Sequence, residues 1–198
     1  MKVIGLTGGI SSGKSTVSRF LGELGAVIID ADRVGHDALK DPGIRQEIVD
    51  AFGEQVLGAD GHIDRSKLGK MVFNAPEALK LLNGIMHTRM HDIIKALLED
   101  YRGQGAGVVV LEAPLLVEAG WTSSVDEVWV TVSPESAVLK RLGERSGLSE
   151  AETLARIRSQ ISSDARVKHA DVIIDNDGSL GELKTKVKEL WQKLKRDA

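Results

Sequence analysis

The chain has no cysteine among its 198 residues, which excludes disulfides, thiolate metal sites and thiol nucleophiles. It lacks any apolar run near the ~20 residues that a membrane helix needs. Met1-Lys2-Val3-Ile4-Gly5 opens without the hydrophobic region of a signal peptide. A soluble, cytoplasmic protein with no membrane partner is therefore expected. Charge of one sign is not in excess either: Lys+Arg number 26 against Asp+Glu 29, a formal net charge of −3. That balance supplies no long-range attraction to nucleic acid or anionic lipid, although basic residues can still cluster around a small anionic ligand.

What is present is 42% hydrophobic, enough apolar material for one domain with a sizeable insertion. Apolar, β-branched stretches run from Lys2 to Thr7, Ala26 to Asp30, Gly107 to Glu112 and Glu127 to Val132, with a shorter one from Asp171 to Asp175. Continuous runs of this length predict buried parallel strands covered by helices on both faces. The segments between them read as helices. Ser133-Pro134 supplies an N-cap and N1 pair, and Ser149 with Glu152 and Ser179 with Glu182 form capping boxes. The alternation predicts an α/β fold with a parallel sheet.

One stretch breaks the alternation: Ala31 to Ala106 is helical in pattern and far longer than the ~10–12 residues of a plain crossover. It is expected to be an inserted helical region overhanging the strand C-termini, where ligands bind in open α/β sheets. The last helix carries Leu183, Val187, Leu190, Trp191 and Leu194 at helical spacing. Its lysines are expected to form a solvated face opposite that docked stripe, and a monomer without nucleic-acid partners follows.

Gly8-Gly9-Ile10-Ser11-Ser12-Gly13-Lys14-Ser15-Thr16 matches G-x-x-x-x-G-K-[ST]. Glycines let the backbone wrap around a phosphate with its N–H groups pointing inward, and the helix that follows presents its positive end to the same anion. Lys14 can reach the β- and γ-phosphates and the Ser15 hydroxyl can ligate Mg²⁺. Val3 to Leu6 precede the loop as a strand, and Val17, Phe20, Leu21 and Leu24 follow at helical spacing. The motif establishes nucleoside triphosphate binding and no more.

Two classes share that loop. A regulatory GTPase needs a guanine-reading Asn-Lys-x-Asp, and no such string occurs. Asp32-Arg33-Val34-Gly35 matches a switch D-x-x-G but lies too soon after the loop. A kinase needs a cradle, a metal and a residue to deprotonate the acceptor. Asp30-Ala31-Asp32 stands at the second strand's end, where alternate residues share a face. If that strand neighbours the loop strand, Asp32 is placed to take a hydroxyl proton or bind metal through water; a solvated carboxylate or an N-cap is the alternative.

GGISSGKST followed by VIIDADRVGH resembles the opening of the dephospho-coenzyme A kinase family. So do Asp60-Gly61 with Asp64-Arg65, the Asn83/His87 region, Glu112-Ala113-Pro114-Leu115-Leu116 through Glu118, and Ser133-Pro134-Glu135. The likeness continues through Arg141 to Arg145, Arg156 with Gln160, and Ala170-Asp171 through Gly178. The resemblance implies a three-layer P-loop kinase fold on a five-stranded parallel sheet. It implies a core of about 1–33, 105–140 and 165–198, a substrate-binding insertion of about 34–104, and a lid of about 141–164. The implied reaction moves the ATP γ-phosphoryl to the ribose 3′-hydroxyl of dephospho-coenzyme A, with Mg²⁺. A kinase for another hydroxylated acceptor, such as a nucleoside or shikimate, shares every feature except the resemblance.

By that resemblance Asp32 is the catalytic base, and Arg141 or Arg145 is the lid arginine that neutralises the transferred phosphoryl. Asn176 would hold adenine by backbone contacts, although a turn role in Asp175 to Gly178 is equally open. Glu112 is a candidate metal-linked acid, against simple strand-end polarity. Pro114, Leu115 and Leu116 would shape the acceptor pocket, unless they are core. Arg89 is a candidate for the acceptor's anionic end, and His87 for packing or substrate contact. His87 and His91 are spaced i, i+4, but no third metal ligand accompanies them. Two departures are visible: Ser11 where many members carry glycine, and His87-Thr88 where His-Pro is usual.

Overall fold

A computed structural model gives the fold, describing all residues except 74, 147–153, 155, 156, 159, 197 and 198, and the side chains of 144–146. Five strands form one parallel sheet: β1 (Lys2–Gly8), β2 (Val27–Asp30), β3 (Val108–Glu112), β4 (Glu127–Val132) and β5 (Val172–Asp175). The order is β2-β3-β1-β4-β5. All five apolar runs are strands, and central β3 is buried at five positions in five. The edge strands β2 and β5 are each fully buried at one, Ile29 and Ile174, and Ile173 of β5 is exposed, which corrects the expectation of burial on both faces there.

The order leaves unmet the condition attached to Asp30-Ala31-Asp32. β2 does not neighbour the loop strand; β3 lies between them, pairing Leu6 with Glu112 on one side and Asp30 with Glu112 on the other. The strand alternation also ends at Asp30, because α2 (Ala31–Ala38) starts at the next residue. Asp30 and Asp32 are therefore not successive positions on one strand face. Asp32 stands in the first turn of a helix, where a carboxylate meets the positive end of the dipole.

The chain separates into two compact units, Met1–Asp30 with Asp100–Ala198, and Ala31–Glu99. In the first, α1 (Lys14–Glu23) and the last helix, α8 (Leu180–Arg196), bury Val17, Phe20, Leu21, Leu183, Val187, Trp191 and Leu194 against Ile4, Leu6, Val110, Trp129 and Ile174. The Ser179/Glu182 capping box forms: the Ser179 amide donates to Glu182 Oε2 at 2.6 Å and the Glu182 amide to Ser179 Oγ at 3.3 Å. On the opposite face of α8, Lys184 reaches Glu23 and Lys186 reaches Asp177. These lysines pair along an exposed face, as the stripe on the other side requires.

The second unit is helical. It holds α2, α3 (Pro42–Phe52), α4 (Arg65–Phe73) and most of α5 (Pro76–Gly103), packed around Ile44, Ile48, Phe52, Val56, Leu68 and Val72. Asp41 caps α3 through the amides of Gly43 and Ile44, with Pro42 at the first helical position. α5 runs through His87-Thr88 unbroken: with threonine in place of proline, the helix keeps its amide, and Thr88 Oγ1 donates to Gly84 O at 2.9 Å.

In the first unit, α6 (Glu135–Ser146) begins one residue later than expected, and Ser133 does not cap it. The Ser133 hydroxyl is engaged elsewhere, at the loop described below. The Ser149/Glu152 box lies outside the described residues, as do 147–153, 155, 156 and 159 of the expected lid. A short α7 (Ser163–Val167), capped by Ser162, leads into β5. Among the described residues, no helix is long and apolar enough to cross a membrane.

Candidate active site

The glycine-rich segment leaves β1 at Gly8 and enters α1 at Lys14. Gly13 is the N-cap, at φ 100°, and no side chain caps the helix, so its first amides and positive end are left for an anion. A Cβ on Gly13 would collide with the Asn176 amide. Ser11 also lies in the left-handed region, at φ 55°. An L-residue there costs about 1–2 kcal/mol, the kind of strain that functional loops retain.

The loop is braced from behind by the ends of β4 and β5. Ser12 Oγ bonds Thr131 Oγ1 at 2.7 Å, and Asn176 Nδ2 donates to Ser12 O at 2.9 Å, both buried. Ser133 Oγ lies 2.8 Å from Asn176 O and 3.1 Å from Ser12 O. Arg141 closes the arrangement, donating through NH1 to Ser133 Oγ at 2.9 Å and Ser11 O at 3.3 Å, and through NH2 to Asn176 O at 3.2 Å. Of these contacts, those from Ser133, Asn176 and Arg141 engage the loop carbonyls of Ser11 and Ser12.

At the other wall stands Glu112, the last residue of β3. Its Oε1 accepts from Ser15 Oγ at 2.8 Å and lies 3.5 Å from Lys14 Nζ. The pair is mostly buried, Lys14 being 14% and Glu112 11% exposed at the side chain. A hydroxyl and a carboxylate side by side are hard oxygen donors of the kind Mg²⁺ takes alongside phosphates and water. Among the described residues, no group of three or more His, Cys, Asp or Glu could hold a metal ion.

A cavity of about 270 Å³ adjoins the loop, lined by Gly9, Ile10, Ser12, Gln160 and Arg166 among others. The Ile10 amide donates to Gln160 Oε1 at 2.9 Å. Arg166, 1% exposed, donates through NH2 to Glu118 Oε1 at 2.9 Å. Sequence reasoning missed Arg166, because a lone arginine in Asp164-Ala165-Arg166-Val167-Lys168 has no signal separating it from solvent-facing neighbours.

Asp32 is exposed. Asn176 has its amide on Val132 O, its carbonyl on Ser133 and Arg141, and its side chain on Ser12; the adenine contact expected of its backbone finds no free backbone group there. Leu116 is fully buried, against Gly5, and is core; Leu115 is 41% exposed, and the Pro114 carbonyl accepts from Thr7 Oγ1. The Arg145 side chain lies outside the described residues. In the helical unit, Arg89 pairs with Glu47, which raises the guanidinium pKa and lowers the carboxyl pKa, and both line a cavity of about 620 Å³ with Leu81, Ile85 and Thr88. His87 is half-buried, and desolvation lowers its pKa.

A parallel sheet of this order, with a phosphate loop after its central strand and an acid beside the loop's lysine and serine, defines a P-loop kinase. A family model described as dephospho-CoA kinase matches residues 2–182. A dephospho-CoA kinase of Dehalococcoides mccartyi is 48% identical over 190 residues, 96% of each chain. One from Carboxydothermus hydrogenoformans is 49% identical, covering 98% of this chain and 95% of its own. The solved structure of a dephospho-CoA kinase from Campylobacter jejuni superposes with a TM-score of 0.76 at 30% identity, covering 100% of this chain and 99% of that one. The chain belongs to the dephospho-CoA kinase family.

Proposed function

We propose that this protein transfers the γ-phosphoryl group of ATP to the ribose 3′-hydroxyl of dephospho-coenzyme A, giving coenzyme A and ADP, the last step of coenzyme A biosynthesis. The observation that carries the reading is the family match across residues 2–182 on a chain whose loop keeps Lys14, Ser15 and Glu112 in contact. Transfer is direct and in line, without a phosphoenzyme. Lys14 and the loop amides hold the β- and γ-phosphates, and Asp32 takes the acceptor proton as the new P–O bond forms. Ser15, with Glu112 through water, would hold Mg²⁺, which offsets phosphate charge when bound. Of the two expected lid arginines, Arg141 contacts the loop backbone and orients it, which leaves Arg145 for the phosphates.

His87 and Arg89 are proposed to contact the acceptor, with Leu115 and Pro114 shaping its pocket. The protein acts on small molecules in the cytoplasm. It acts as a monomer, a reading supported by α8 burying its apolar stripe within its own unit.

The test is ADP release with Mg·ATP and dephospho-coenzyme A beside nucleosides and shikimate, with the product mass measured. ADP formed only with dephospho-coenzyme A, and a product one phosphate heavier, is the expected result. ADP formed with a different acceptor would retain the kinase and reject the substrate.

A further inference from the structure

The guanidinium of Arg166 is 1% exposed, yet its environment replaces its hydration only in part. NH2 has Glu118, but Nε has no hydrogen-bond partner; among the described residues it is the buried side-chain polar atom left in that state. Desolvating an arginine is costly, and an apolar side chain of similar volume would fill the space without that cost. A buried donor without an acceptor calls for an explanation, and an absent ligand is one. The position of Arg166 says which ligand. It lines the cavity against the phosphate loop, and its NH1 lies 3.6 Å from the point a Cβ on Gly9 would occupy.

A second observation falls on the same cavity. The Ile10 amide, one of the loop donors that a phosphate would use, is held at 2.9 Å by the side-chain oxygen of Gln160. Gln160 Oε1 itself lies 3.9 Å from the Gly9 Cβ point, so this oxygen and the Arg166 guanidinium border one space. A neutral amide oxygen on a loop amide is exchangeable for a phosphate oxygen, which is charged and makes the stronger bond.

From these we infer that Arg166 is a catalytic residue that contacts the phosphoryl group in transit. Glu118 is its positioning residue, and Gln160 is the acceptor displaced when the nucleotide takes the Ile10 amide. The inference rests on the phosphotransferase reading above. In the transfer, the bond from the γ-phosphorus to the β-γ bridging oxygen breaks and its electron pair stays on ADP. The bond to the acceptor oxygen forms, and the hydroxyl proton goes to Asp32. Arg166 gives up no proton. It donates hydrogen bonds to oxygens on which negative charge builds during the transfer, a preorganised arrangement that acts most strongly where water is excluded. Glu118 balances the guanidinium before nucleotide arrives and fixes the direction of its fork.

The experiment compares wild type, Arg166→Lys, Arg166→Gln and Glu118→Gln as full chains. It measures kcat and KM for both substrates, the thermal midpoint, and the Kd of Mg·ADP with and without fluoroaluminate. Arg166→Lys keeps the charge opposite Glu118 and so preserves the fold if the glutamine variant does not. Its expected result is kcat lower by roughly 10²–10⁴-fold, ADP affinity within about threefold of wild type, and loss of the tightening that fluoroaluminate gives. Glu118→Gln should lower kcat by less, with KM values little changed. A lysine variant with kcat within about threefold and undiminished fluoroaluminate tightening overturns the inference while leaving the kinase reading intact. If wild type forms no ADP from dephospho-coenzyme A, the substrate reading fails instead, and fluoroaluminate tightening in wild type against Arg166→Lys still decides the arginine.

Discussion

Asn176 is the side chain on which the phosphate loop is expected to depend most for its shape. Its amide donates to Ser12 O at 2.9 Å in a buried setting, and it abuts the one loop glycine that carries a large positive φ. Truncation in Asn176→Ala removes a buried hydrogen bond worth about 1–1.5 kcal/mol and leaves a small void, for roughly 2 kcal/mol in total. Ser133 Oγ, 3.1 Å from the same carbonyl, can recover part of this only by releasing Asn176 O. For a domain of this size the expected fall in thermal midpoint is about 4–8 °C. The KM for ATP should rise by roughly 5–30-fold, because nucleotide must then reorder the loop.

Asn176→Asp is the sharper test. The shape is unchanged, but at pH 7.5 a carboxylate faces the Ser12 carbonyl, and an unpaired buried charge costs more than the missing bond. The carboxyl pKa in the folded state is therefore raised above its unfolded value. Stability is retained below the unfolded pKa and lost as pH rises through the folded one. Calorimetry at pH 5 and pH 7.5 should show Asn176→Asp less stable than Asn176→Ala at the higher pH, with the gap narrowing at the lower. An aspartate variant as stable as the alanine variant at pH 7.5 would show that the amide does not hold the loop as described.

Three further outcomes are expected. Gly13→Ala combines a φ of 100° with a collision against the Asn176 amide and should destabilise by roughly 3 kcal/mol; paired with Asn176→Ala the costs should sum to less than the two separate losses, which a double-mutant cycle measures. Asp32→Asn should cut kcat by roughly 10²–10⁴-fold with ATP affinity nearly unchanged, and near-normal turnover would remove Asp32 as the base. His87, whose folded pKa is lowered by burial, stays neutral in the native state at pH values where the unfolded chain binds a proton; it should make stability fall as pH drops below its ordinary value near 6.5, and His87→Asn should flatten that fall in thermal midpoints taken from pH 7.5 to 5.

Local signals determined a large part of this protein. Five apolar runs were legible as strands of a parallel sheet, and all five are. Gly13 and Lys14-Ser15 could only be a phosphate loop entering a helix, because glycine's backbone freedom and the helix's positive end act within a few residues of chain. The Ser179/Glu182 cap and the stripe from Leu183 to Leu194 were legible for the same reason, since both are patterns of one helix. Ser133, by contrast, matched a capping pattern and was recruited instead to the loop, by partners distant in sequence: Ser12, Arg141 and Asn176.

Tertiary structure decided what depends on which strands adjoin. Placing β3 between β1 and β2 put Glu112 against Lys14 and Ser15. The turn into helix at Ala31 likewise cancelled an alternation that holds only along a strand. Leu116 became core while its neighbour Leu115 stayed exposed, a difference of side-chain direction that adjacent leucines do not announce. Arg166 is the extreme case: one basic residue among several along the chain, it is set apart only by being buried beside Glu118 at the loop. Burial and ion pairing are properties of distant segments brought together, and no periodicity within a single segment encodes them.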